Sequence, residues 1–133
     1  MATSQTQSTK KIVATNSAPA AIGPYSQAVI HNGLVYCSGQ IALNPDTMEI
    51  VGEDAKSQAQ QVMKNLAEVL RAAGSDFSKV IKCSIFLDSM DDFGVVNEVY
   101  GAFFTENPPA RETVAVQTLP KNVLVEISCI ASI

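Results

Sequence analysis

Between Asp54 and Ala73 apolar residues return every three or four positions, as Ala55, Ala59, Val62, Met63, Leu66, Val69, Leu70 and Ala73. That spacing is one face of an amphipathic helix, with Lys56, Gln60, Lys64, Glu68 and Arg71 turned to water and Gly74 placed to end it. A second stripe, Phe93, Val96, Tyr100 and Phe103, predicts a helix from about Asp91 to Phe104. Ser89 and Asp92 resemble a capping box at its start, and Asn97 lies on the edge of the stripe, where a buried amide would need partners.

Elsewhere the period is two. Val80 to Leu87 reads as a strand with Ile81, Cys83, Ile85 and Leu87 on one side. Val123 to Ile133 reads as another, uniformly apolar at Val123, Val125, Ile127, Cys129 and Ala131. Its even positions, Leu124, Glu126, Ser128, Ile130 and Ser132, are mixed. Lys11 to Ala14 is a short strand. Ser26 to His31 and Leu34 to Ser38 flank Asn32-Gly33, a strong hairpin signal. Asn44-Pro45-Asp46-Thr47 and Leu119-Pro120-Lys121-Asn122 are turns by composition.

The order is three strands, helix, strand, helix, two strands, with no internal repeat. Two helices cannot cover both faces of such a sheet, so both are expected on the side of the odd-numbered residues of the last strand. The other face would carry Phe86, Leu124 and Ile130 beside Glu126 and Ser128. So patchy a face predicts a symmetric homo-oligomer.

Composition narrows the class. A chain of 133 residues is one domain's worth, and a formal charge of −4 with spread acids does not favour a polyanionic partner. Residues 1–10 are Ser/Thr/Gln-rich and read as a disordered tail ahead of a single domain over 11–133, with no membrane segment. The tail lacks acids, as mitochondrial presequences do, but it also lacks arginine, which favours a cytoplasmic address. Cys37, Cys83 and Cys129 are well separated in apolar runs and fit a reducing compartment. With His31 the lone histidine, a metal site of the usual His/Cys kind is not expected.

Candidate chemistry gathers at four places. Pro108-Pro109 ends the second helical run and delivers Arg111 to the mouth of a strand, where a guanidinium can clamp a carboxylate through two parallel hydrogen bonds. Gly23-Pro24 holds Tyr25 on a stiff support. Ser38-Gly39-Gln40 lets a backbone or ligand approach closely. Glu126 stands mid-strand on the face away from the helices. Each also has a plain structural reading: a surface ion pair for Arg111, a half-buried aromatic for Tyr25, a bulge at Gly39, an interface pair for Glu126.

The chain resembles the Rid family, also called the YjgF family of reactive intermediate deaminases. The likeness lies in Ile22-Gly23-Pro24-Tyr25-Ser26-Gln27-Ala28, Ser38-Gly39-Gln40-Ile41, Asn97-Glu98-Val99-Tyr100, Pro109-Ala110-Arg111, and Leu119-Pro120 followed by Val125-Glu126-Ile127. It implies a chorismate-mutase-like α+β subunit, a mixed sheet with two helices packed on one face, assembled as a homotrimer with pockets between subunits. It also implies cofactor-free hydrolysis of small 2-imino acids, 2-iminobutanoate and 2-iminopropanoate among them, to 2-keto acids and ammonia. Carried over, Arg111 would hold the substrate carboxylate and Glu126 would position or activate water. Tyr25, Ser38 and Gly39 would line the pocket, and Asn97 would support it. Glu112 and Thr113 stand where many members have serine and cysteine, which places Thr113 among the ligand contacts and argues against a cysteine-centred mechanism. The loop before Arg111 is also short. The alternatives are a non-enzymatic regulator binding small carboxylic acids in the same clefts, and an RNA-cleaving translation inhibitor, disfavoured by the acidic balance.

Overall fold

A computed structural model describes residues 9–133, so the reading of the tail lies, for residues 1–8, outside the described residues. Strands β1 (Lys11–Val13), β2 (Ala28–His31), β3 (Leu34–Gln40), β4 (Val80–Leu87), β5 (Ala110–Ala115) and β6 (Val125–Ser132) form one six-stranded sheet in the order β1-β2-β3-β6-β4-β5. All neighbours are antiparallel except β4 and β5, which run parallel and are joined through helix α2 (Phe93–Gly101). Helix α1 (Ala55–Ala72) connects β3 to β4. The fold is α+β, a mixed sheet with both helices on one face.

Local chemistry sets the element ends. The β2–β3 hairpin turns on Asn32 and Gly33, both at positive φ (52° and 80°), the two-residue geometry that matches strand twist. Helix α1 starts where the Asp54 carboxylate accepts the Ser57 N–H at 2.8 Å, and Gly74 at φ 83° lets the chain leave it. Its inner face puts Met63, Leu66 and Leu70 into one core with Ile85, Leu87, Val125 and Ile127 of the sheet, all fully buried. Each such side chain stabilises the fold by about 2 kcal/mol.

The odd residues of β6 are buried, as the alternation predicts. Four sequence expectations need correction. A bulge between Val80 and Lys82, facing Ala131 and Ile130 of β6, resets the alternation at the start of β4. Val80 therefore points into the core and Ile81 stands 48% exposed. The second helix is shorter than its pattern: Met90–Asp92 is a single 3-10 turn, and α2 ends at Gly101. Its buried line steps four residues from Tyr100 to Phe104, whose rings lie 4.7 Å apart, and leaves Phe103 out against Phe77. Finally, Ser89 accepts the Asp91 N–H at 3.1 Å in a tight turn, and the Asp92 side chain makes no cap bond, so no capping box forms. Leu124, placed by alternation on the open face, packs against the helix-side core just before β6 begins.

Candidate functional site

Glu126 pairs in register with Phe86 of β4 and faces away from the helices. Beside it β3 is irregular between Cys37 and Gln40, and Gly39 sits in that irregularity. A Cβ on Gly39 would lie 2.8 Å from the Glu126 carboxyl carbon, so the carboxylate occupies space that only glycine leaves free. Glu126 is half-buried and forms no ion pair among the described residues, and burial pushes its carboxyl above the ordinary glutamate range.

This carboxylate opens onto a cavity of about 510 Å³. Tyr25 stands at its rim, held by a Tyr25 N–H to Gly23 carbonyl bond of 2.9 Å across Pro24. Ser38 lines it too, with its hydroxyl donating to the Ser26 carbonyl at 2.6 Å. Two buried amides that hydrophobic patterning passes over, Gln27 and Asn65, fix the walls, and a third, Gln58, ties down the chain just before β6. Gln27 accepts from the Thr15 N–H at 2.6 Å and donates to the Pro19 carbonyl at 2.8 Å. Asn65 donates to the Ile41 and Leu43 carbonyls at 3.1 and 3.0 Å, and Gln58 accepts the Leu124 N–H at 2.8 Å. For Gln58 and Asn65 a polar residue on the buried stripe of α1 was the available signal.

Arg111 lies elsewhere. It is level with Cys83, Cys129 and Cys37 across the sheet, a row whose cysteines face the helices, and its side chain turns toward α2 at the sheet's edge. Nη1 donates to the Asn97 side-chain oxygen at 2.5 Å. The guanidinium carbon stands 5.2 Å from the Tyr100 ring centroid and 5.6 Å from that of Phe93. Asn97, Tyr100 and Arg111 line a second cleft of about 440 Å³ with Pro108 and Pro109. Asn97 thus holds the arginine, and donors remain on the other edge of the guanidinium for an anion.

The expected site residues therefore fall into two groups. Tyr25, Ser38, Gly39 and Glu126 share one cleft, Asn97 and Arg111 share the other, and the two carry opposite faces of one sheet. Thr113 lines neither: it follows Arg111 by two on the helix-facing side of β5, and its hydroxyl is buried without a partner among the described residues. Glu112 faces the open side, where Ser84 donates to it at 2.7 Å and Lys82 pairs at 3.3 Å, holding its carboxyl below the usual range. Burial pushes the Cys83 thiol up, and the neighbouring Cys37 thiol does the same to Cys129, which disfavours the thiolate form at both. Among the described residues no group of three or more His, Cys, Asp or Glu is gathered to hold a metal ion, and no helix is long and apolar enough to cross a membrane.

Known proteins carry the same architecture. The chain is 54% identical over 123 residues to a Lactococcus lactis protein named as a regulator, AldR, covering 92% of this chain and 98% of that one. It is 45% identical over 122 residues to the 2-iminobutanoate/2-iminopropanoate deaminase of Rattus norvegicus, covering 92% and 89%. The crystal structure of E. coli TdcF with bound serine superposes with a TM-score of 0.88 at 40% identity, covering 92% of this chain and 98% of that one. A family model described as Endoribonuclease L-PSP matches residues 15–133, and the chain belongs to that family, the Rid or YjgF family.

Proposed function

We propose that the protein is an imine deaminase that hydrolyses small 2-imino acids to 2-keto acids and ammonia at composite sites, each formed between two copies of the chain in a homotrimer. The observation that carries this reading is the separation of Arg111 from Glu126 by the sheet itself. Side chains on opposite faces cannot meet on one ligand within one protomer, whereas β5 of one copy set against the open face of another brings them together. The open face is also apolar enough to want covering: Ile12 is 54% and Tyr36 43% exposed, in register through Val29.

In such a site Arg111 grips the substrate carboxylate and fixes the imine carbon over the Gly39 irregularity. Glu126, whose burial raises its proton affinity, accepts a proton from water as the water oxygen bonds to the imine carbon and the C=N π pair moves to nitrogen. Protonated Glu126 then returns its proton to the carbinolamine nitrogen, the C–N bond breaks to release ammonia as the C=O of the keto acid forms, and the hydroxyl proton passes back to Glu126. Tyr25 closes the side of the cavity. The family likeness to deaminases and the serine bound in a related structure support a ligand with an amino-acid-like carboxylate. The buried, unpaired cysteines support a reducing, cytoplasmic setting.

RNA cleavage, which the family model's description suggests, is less well supported. His31 ends β2 and lines neither cleft, and the chain is acidic.

The deciding experiment measures ammonia from freshly generated 2-iminopropanoate with Arg111→Ala, Glu126→Gln, and the two variants unfolded together and reassembled. Each alone should be inactive. Random mixing should restore about a quarter of wild-type activity, because one interface in four then takes an intact arginine from one copy and an intact glutamate from the other. Mixed subunits as dead as their parents would sink the composite site, and inactive wild type would sink the deaminase reading.

A further inference from the structure

Among the described residues five other than glycine have left-handed backbone: Asn32, Met48, Asn107, Lys121 and Asn122. Asparagine tolerates that region because its short amide bonds locally, but methionine and lysine have no such compensation. Both of the ill-suited residues, Met48 (φ 62°) and Lys121 (φ 56°), line the cavity that holds Glu126. Unfavourable backbone of this sort persists where the surrounding structure enforces it and something is gained by it.

The enforcement is visible at Lys121. Pro120 stiffens the turn, the Asn122 N–H donates to the Leu119 carbonyl at 2.9 Å and the Val123 N–H to the Pro120 carbonyl at 3.2 Å. Leu119 and Val123 anchor the two ends in the interior. Lys121 is held between them and remains exposed.

What is gained is a charge in a particular place. Lys121 is the one cation among the residues lining this cavity, and it pairs with neither Glu126 nor any other acid among the described residues. The lining around it is otherwise largely apolar, with Ile22, Ile41, Leu43 and Met48. At about 510 Å³ the cavity has the size that holds ligands well beyond three or four carbons. A short imino acid clamped by Arg111 with its reacting carbon beside Glu126 leaves part of that space, and the lysine, without a partner.

We propose that Lys121 is a specificity residue that receives a second carboxylate at the far end of the substrate, so that the site takes 2-imino diacids of four or five carbons as well as monocarboxylic imines. This rests on the deaminase reading for the reaction, though not for the binding. The methylenes of such a diacid lie along Met48 and Ile41, Arg111 takes the carboxylate next to the imine carbon, and the flexible lysine takes the other.

Calorimetric titration with 2-oxoglutarate and 2-oxobutanoate, stable mimics of the two product classes, tests the idea on wild type, Lys121→Asn and Lys121→Gly. Both replacements remove the charge while suiting the left-handed backbone, so both should raise the melting temperature. Both should also lower the ratio of 2-oxoglutarate to 2-oxobutanoate affinity by about fivefold, the scale of a partly exposed ion pair. Wild type that fails to bind 2-oxoglutarate, or a ratio unmoved in both variants, overturns the assignment. Ammonia release from 2-iminopropanoate by wild type is measured in parallel. Its absence would remove the deaminase reading, while the affinity ratio would still decide the role of Lys121.

Discussion

Arg111 of β5 donates through Nη1 to the side-chain oxygen of Asn97 on α2 at 2.5 Å, so the strand's cation is aimed by the helix that precedes it. The bond uses one edge of the guanidinium and fixes the plane of the rest. Arg111→Ala should abolish deamination and leave the assembly intact, because its side chain makes no ion pair among the described residues. Asn97→Ala should keep the charge but let it swing. Since both groups are exposed, the loss is about 1 kcal/mol, a roughly fivefold rise in KM with a smaller change in kcat. Steady-state kinetics with enzymatically generated imine would show it, and an unchanged KM would reduce Asn97 to a surface residue.

Tyr100 should act through its ring and not its hydroxyl. The ring stands under Arg111 at 5.2 Å, whereas the buried hydroxyl has no hydrogen-bond partner among the described residues beyond the weakly interacting Cys83 thiol, and burial pushes its pKa well above the ordinary tyrosine value. Tyr100→Phe should therefore melt at or above the wild-type temperature and bind 2-oxobutanoate equally well. Tyr100→Leu should bind it about three- to fivefold more weakly, the scale of one cation–π contact. Equal affinity of the Phe and Leu variants would remove the ring from the site.

Much of this was legible in the chain because alternation and helical period are written in single residues. The alternation from Val123 through β6 to Ala131 marks the buried face, and with it the outward direction of Glu126. Where a local distortion intervened, reading failed: one extra residue at Val80-Ile81 reversed two side chains, and no composition signal marks that bulge. The split of the site was equally hidden. Arg111 and Glu126 are both plainly polar residues in strands, but which face each takes depends on the register of β5 against β4, set by α2 and the Pro108-Pro109 stop. The roles of the Gln58 and Asn65 amides on α1 are not legible in the chain, since a hydrophobic stripe says nothing about which backbone carbonyls need a donor and which N–H groups need an acceptor.

Gly39→Ala should separate activity from stability. The added methyl meets the Glu126 side chain, with the carboxyl carbon at 2.8 Å, and the flexible end of that side chain can move aside. Gly39 is not among the residues at positive φ, so alanine adds no backbone strain. Melting should shift little, by the equivalent of about 1 kcal/mol or less. Turnover should fall by roughly a hundredfold, because a general base displaced by about an ångström loses its alignment with water. A variant as active as wild type would mean that Glu126 need not stand where Gly39 admits it.

The acid limb of the pH profile should belong to Glu126. Burial disfavours its ionised form, so its folded pKa lies above the unfolded one, and the base needed for hydrolysis is lost as pH falls through a value above the ordinary glutamate range. The same shift has an opposite consequence for stability. A raised carboxyl pKa contributes stability that is fully present below the unfolded pKa and disappears as pH rises through the folded one. Glu126→Gln, which carries no charge at any pH, should therefore melt higher than wild type at neutral pH, and the difference should close as the solution is acidified. Melting curves of both proteins across that range, beside kcat/KM profiles of wild type, test both halves. A wild-type activity profile flat down to the ordinary glutamate range would take the proton-accepting role away from Glu126, whatever the melting curves show.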